Sequence, residues 1–256
     1  MPNGSISSAE TETRVERYLR YFKDPESLAN AAAREIAAML VEAVEARGRA
    51  TLALAGGSTP KPVYERLARV PGVPWGQVDI FLGDERMAPA DSELSNMRMV
   101  QDHLLGQLDR ETPRVHAVDT RLAPAEAASA YASELAEVLG PGGAVPGSGH
   151  IDLVLLGMGP DGHTASLFPG AAAMQDNALV AAVRAEEMAE GVTPRVDRVT
   201  FTPRVLNEAR CAMYLIMDED KLALFRAMEA GESGAVDLPA ARIAPQECLI
   251  WYLLQP

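Results

Sequence analysis

The run Leu153-Val154-Leu155-Leu156-Gly157 constrains the fold of this 256-residue chain more than any other stretch. Four large aliphatic side chains in succession leave no polar face, so a strand made from them must be covered on both sides. Strands buried on both faces belong to parallel sheets with helices above and below. In such sheets the loops beyond the carboxyl ends of the strands carry the chemistry. Here the run continues into Met158-Gly159-Pro160-Asp161-Gly162-His163, which turns on glycines and sets an Asp and a His two residues apart. Histidine takes up a proton near neutrality, which makes His163 a candidate for proton transfer.

The rest of the chain alternates in the same way. Asp24-Pro25 supplies an N-cap and a first helical residue, and Gly48 a stop. Between them Leu28, Ala32, Ile36, Met39, Leu40, Ala43 and Val44 recur at helical spacing. Further helices are expected over 60–68, 95–105, 124–139 and 221–229. Strands are expected at 51–55, 78–82, 115–118, 153–157, 179–183, 198–201, 212–217 and 249–254. Such alternation predicts an α/β fold: a Rossmann-like, mainly parallel sheet with helices on both faces. Residues 14–256 read as one domain, with the Gly- and Pro-rich stretch 140–149 as a surface excursion. Residues 1–13 are polar, lack the apolar core of a signal peptide, and read as a disordered lead-in. No apolar run approaches the ~18 residues of a membrane span.

Charge narrows the partners. With 36 acidic and 23 basic residues the net charge is −13, which argues against a nucleic acid but not against a small phosphorylated substrate. A monomer or weak homodimer in the cytoplasm is expected. Cys211 and Cys248 lie in or beside apolar runs and read as buried free thiols of a reducing compartment.

Four motifs could carry chemistry. Gly56-Gly57-Ser58-Thr59-Pro60 leads from a strand into a helix start, and reads as a phosphate cradle or as a plain capped turn. It lacks the Walker Lys. Gly83-Asp84-Glu85-Arg86 follows another strand, and its charges either serve a reaction or pair to fix the loop. Gly157, Gly159 and Gly162 spell G-x-G-x-x-G, yet Pro169 cuts short the helix a dinucleotide needs and Asp176 lies in a polar loop, so no NAD is expected. Lys221 follows Asp218-Glu219-Asp220 at a helix start, where the acids neutralise it at the surface or it reaches a ligand. His103, His116 and His150 form no metal-ligand pattern, and no metal is expected.

The set GGSTPKPVYERL, FLGDERMAP followed by SNMR, LLGMGPDGHTASLFP and RVTFTPRVLNEAR resembles the 6-phosphogluconolactonase family in order and spacing. The likeness runs from about Arg14 to the C-terminus. It implies a sugar-phosphate isomerase-like fold, no cofactor, and hydrolysis of 6-phospho-D-glucono-1,5-lactone to 6-phosphogluconate. That is the second step of the oxidative pentose phosphate pathway. Two departures stand out: Asp218 replaces a Gly usual before the Lys, and the chain ends WYLLQP instead of on W-x-x-D.

The expected catalytic set is His163, Asp161, Arg86 and Asp84. His163 deprotonates water, Asp161 orients the imidazole, and Arg86 faces the oxyanion or helps hold phosphate. Asp84 and Asn96 position loop and substrate. The expected substrate-binding set is Gly56, Gly57, Ser58, Thr59, Asn96, Gly159, Gly162, Arg198 and Lys221. The phosphate lies on residues 57–59, Lys221 supplies a cation by the resemblance, and Arg198 is a second candidate. The rival reading is a glucosamine-6-phosphate deaminase or isomerase, which needs an acid soon after the His; Thr164-Ala165-Ser166-Leu167-Phe168-Pro169 has none. A non-catalytic sugar-phosphate sensor would usually carry an N-terminal DNA-binding module.

Overall fold

The computed structural model describes residues 15–109, 111–140, 149–188 and 190–255. The expected lead-in at 1–13 and residues 141–148 of the expected loop lie outside them. The elements run β1 (Glu16–Phe22), α1 (Pro25–Arg47), β2 (Ala50–Leu54), α2 (Lys61–Leu67), β3 (Val78–Leu82), β4 (Asp84–Arg86), α3 (Asn96–His103) and β5 (Arg114–Val115). There follow α4 (Pro124–Leu139), β6 (Leu153–Leu156), β7 (Val180–Val183), β8 (Arg198–Phe201), α5 (Pro203–Glu208), β9 (Cys211–Ile216), α6 (Glu219–Glu229) and β10 (Cys248–Leu254).

Helix α1 begins and ends for the reasons its sequence offers. The Asp24 carboxylate accepts from the Ser27 N–H at 2.8 Å, and Gly48 takes φ 77° so that its N–H can reach the Val44 carbonyl. Leu28, Ala32, Ile36, Leu40 and Ala43 form its buried stripe.

Seven strands make a parallel sheet in the order β1-β10-β9-β6-β2-β3-β5. Alternate residues face alternate cores. Leu52, Leu54, Ile80, Leu82, Leu153 and Leu155 pack with α1 and α2 on one side. Ala53, Phe81, Val154, Leu156, Tyr214 and Trp251 pack with α4 and α6 on the other. Two-sided cover explains why β2, β3, β6 and β9 are buried along their whole length.

The chain leaves β2 toward β3 on one side and later returns to place β6 on the other. Strand order therefore reverses between β2 and β6, where a crevice opens beyond the carboxyl ends. The opposite ends are clamped: buried Asp152 accepts from the N–H and hydroxyl of Thr51 at 2.8 and 2.9 Å and from Arg47 at 2.5 Å. This clamp fixes how the glycine turns after β2 and β6 meet.

The structure departs from the sequence reading at several elements: helix α5 was not expected, and β5 covers only Arg114–Val115 where a strand is expected at 115–118. Strand β1 was not expected, because its mixed charged and aromatic residues form an exposed edge rather than an apolar run. Asp84–Arg86 is no loop but strand β4, which joins β8 and β7 in a separate antiparallel sheet. Cys211 and Cys248 are not free thiols: they are register partners on β9 and β10, with Cα atoms 4.6 Å apart, and form a disulfide. Only strand adjacency brings them together. Among the described residues no helix is long and apolar enough to cross a membrane.

Candidate active site

One cleft occupies the crevice between the ends of β2 and β6. Gly56, Gly57, Ser58, Thr59 and Pro60 form one wall, and Gly157, Met158, Gly159, Pro160 and His163 the other. Asp84, Arg86, Arg198 and Lys221 complete it.

The first wall is a turn into α2. Gly57 adopts φ 88°, a left-handed conformation that glycine adopts without strain, and the Ser58 carbonyl accepts from the Lys61 N–H at 3.3 Å. Gly56 is required for a different reason. A Cβ there would fall 2.0 Å from the Asn96 side-chain oxygen.

On the second wall Asp161 and His163 form a pair. Nδ1 of His163 lies 2.5 Å from Oδ1 of Asp161, which also accepts the His163 N–H at 3.2 Å. Burial pushes the Asp161 carboxyl upward, but the imidazole and that N–H outweigh it and hold the group below its ordinary range. The pair fixes the proton on Nδ1 and leaves Nε2 with no protein partner among the described residues. Phe168 packs against the ring with centroids 4.6 Å apart. Gly159 makes room: a Cβ would stand 2.1 Å from Cε1 and Nδ1 of His163.

The cations come from the small sheet and from α6. Antiparallel pairing sets Asp84 opposite Thr200 and Arg86 opposite Arg198, so all four share one face. Arg86 donates from Nη1 to the Leu94 carbonyl at 2.9 Å, and its buried Nε has no hydrogen-bond partner among the described residues. Arg198 is 3% exposed, donates from Nη2 to the Pro194 carbonyl at 2.9 Å, and lies 5.5 Å over the Phe168 ring. Lys221 pairs with Asp218 at 2.8 Å and still lines the cleft, so it is both neutralised and within reach of a ligand.

Three expected site residues stand behind the wall. Asn96 is 1% exposed and donates to the Asp84 backbone carbonyl at 2.8 Å and carboxylate at 3.2 Å. Gly162, at φ 78°, lies under Leu238 and accepts the Ala240 N–H at 3.0 Å. Both were grouped with substrate-binding residues; they support that surface instead. Asp161 meets the cleft through His163.

Two supports stand behind these residues: Glu85, for which the sequence offers a charge pairing that fixes the loop, and Ser166, to which it gives no role. Glu85 is buried, and its carboxylate accepts from the N–H groups of Arg86, Asn96 and Met97 at 2.7 to 2.8 Å and from the Ser95 hydroxyl at 3.2 Å. Burial raises its pKa against those donors. Ser166 is fully buried and donates to Asp84 Oδ2 at 2.5 Å. Apart from the adjacent Arg86 N–H, the partners of both lie ten or more residues away in sequence. No group of three or more His, Cys, Asp or Glu residues that could hold a metal occurs among the described residues.

The family described as glucosamine-6-phosphate isomerases/6-phosphogluconolactonase matches residues 23–251. A 6-phosphogluconolactonase of Synechocystis sp. is 37% identical over 220 residues, covering 84% of this chain and 86% of the relative. A rat 6-phosphogluconolactonase is 33% identical, covering 91% of this chain and 89% of its own. The crystal structure of 6-phosphogluconolactonase from Thermotoga maritima superposes with a TM-score of 0.81 at 29% identity, covering 94% of this chain and 100% of that one.

Proposed function

The chain belongs to the glucosamine-6-phosphate isomerase/6-phosphogluconolactonase family, and we infer that it hydrolyses 6-phospho-D-glucono-1,5-lactone to 6-phospho-D-gluconate. This is the second step of the oxidative pentose phosphate pathway, and we place the enzyme in the cytoplasm with it. The observation that carries the reading is the shared cleft: a glycine turn that can cradle an anion and an oriented imidazole open into one space walled by cations.

The 6-phosphate lies on the backbone of residues 57–59, with Lys221 and Arg198 countering its charge. The lactone ring then extends toward the end of β6. Nε2 of His163 takes a proton from water as the oxygen attacks C1. The carbonyl becomes an oxyanion facing Arg86; losing one such donor commonly costs about 3 kcal/mol. On collapse the C1–O5 bond breaks, and His163 returns its proton to O5, which leaves as the C5 hydroxyl. Asp161 stabilises the imidazolium between the two transfers. Asp84 accepts from the sugar hydroxyls, and Asn96 holds Asp84.

The His163→Ala enzyme is expected to lose about 10²-fold or more in kcat while its thermal melt stays in place. Near wild-type turnover would remove His163 from the reaction. Assaying lactone hydrolysis beside ammonia release from glucosamine 6-phosphate separates the two chemistries of the family. Ammonia release without lactone hydrolysis would overturn the reading.

A further inference from the structure

We propose that Ser166 is a positioning residue for Asp84, acting by keeping the Asp84 carboxylate apart from the buried guanidinium of Arg198. The proposal rests on the lactonase reading above and on the geometry of one hydroxyl. Oγ of Ser166 donates to Asp84 Oδ2 at 2.5 Å and accepts from Arg198 Nη1 at 3.4 Å. The two charged groups stand 3.9 Å apart, with the hydroxyl bonded to both. All three side chains are buried or nearly so.

The backbone is built to deliver that hydroxyl. Ala165 takes φ 48°, the only non-glycine residue at positive φ among those described, at a cost of about 1 kcal/mol. The turn it makes lets the Ser166 N–H donate to Thr200 Oγ1 at 3.1 Å, and Thr200 is the cross-strand partner of Asp84. Ser166 thus joins the loop that carries His163 to the strand pair that carries Asp84 and Arg198.

A hydroxyl between opposite charges keeps them separate because it satisfies each of them. With Ser166 and Asn96 each donating to one carboxylate oxygen, Asp84 retains acceptor capacity for the ligand. Take the hydroxyl away and Nη1 loses its acceptor, on a guanidinium whose Nε already has none among the described residues. The cation and the carboxylate then close on each other, and Asp84 turns from the cleft. His163 and Asp161 do not touch Ser166, so the loss falls on ligand affinity and leaves proton transfer alone.

A double-mutant cycle reads this directly. Ser166→Ala is expected to raise KM for the lactone by roughly 10-fold, the scale of one lost charge-assisted hydrogen bond, with kcat within about 2-fold and its pH profile unmoved. Asp84→Asn raises KM as well, and adding Ser166→Ala to it brings no further loss. Ser166→Cys keeps the volume and a weak donor; it is expected to fall between wild type and Ala, and carries the same cycle if the Ala variant does not fold. Additive losses, an unchanged KM, or a fall in kcat with a shifted pH profile would each overturn the role. A wild-type enzyme without lactonase activity would instead overturn the reading beneath it.

Discussion

One hydrogen atom on Gly159 decides whether His163 can meet Asp161. Because an added Cβ would fall 2.1 Å from the ring and 2.8 Å from the Asp161 carboxylate, Gly159→Ala must drive the imidazole off its partner. The expected result is a kcat loss of about 10²-fold, close to that of His163→Ala, with KM less affected. A variant with normal kcat would show that the pair need not be intact. Gly57→Ala makes the useful contrast. Nothing lies within 4 Å of a Cβ there, but φ is 88°, so the penalty is backbone strain of about 1 kcal/mol in the anion cradle. That change is expected to raise KM and spare kcat. Both glycines were legible in the sequence as turn residues. Which one makes room for a side chain and which for a backbone angle was not, since it depends on what stands opposite.

Helix α3 is held at its start by a residue that belongs to another element. Glu85, on β4, accepts three backbone N–H groups and the Ser95 hydroxyl, and two of those N–H groups belong to Arg86 and Asn96. Glu85→Ala strands these donors in a buried place, and the free energy of unfolding is expected to fall by at least about 2 kcal/mol in a urea titration. Activity should fall further than the folded fraction explains, because Arg86 and Asn96 lose their anchor together. If stability is unchanged, water replaces the carboxylate and the anchor is dispensable. The element scale was also where sequence and structure agreed most. Helix α4 and strands β3 and β8 lie where periodicity placed them, since their buried faces are written in local spacing. The separation of β4, β7 and β8 into a second sheet was not legible: it follows from which strands pair, and pairing is set by partners far along the chain.

Across the whole molecule, one imidazole far from the cleft ties the end of the sheet to the layer above it. His116 follows β5, and its Nε2 lies 3.0 Å from Asp79 on β3 while its Nδ1 lies 2.7 Å from Glu134 on α4. Arg49 meets the same Asp79 at 2.6 Å, and Phe81 stacks on the ring with centroids 4.4 Å apart. Both ring nitrogens can donate only when the imidazole is charged. Burial works against that charge, but the two carboxylates outweigh it, so the His116 pKa rises above its ordinary value. For Asp79, burial is outweighed in turn by His116 and Arg49, and its pKa is lowered. The signs then follow from linkage. The stabilisation from His116 is complete below the unfolded histidine pKa of about 6.5 and is lost as pH rises through the raised folded value. That from Asp79 is present above the unfolded aspartate pKa of about 3.9 and is lost as pH falls through its lowered value. Melting midpoints recorded from pH 6 to pH 9 should therefore decline, and His116→Gln should flatten that decline while lowering stability at pH 6 by about 2 kcal/mol. Parallel curves for the two proteins would mean that this cluster is not what titrates. The effect on unfolding should appear without a matching effect on KM, because none of His116, Asp79, Glu134 or Arg49 lines the cleft.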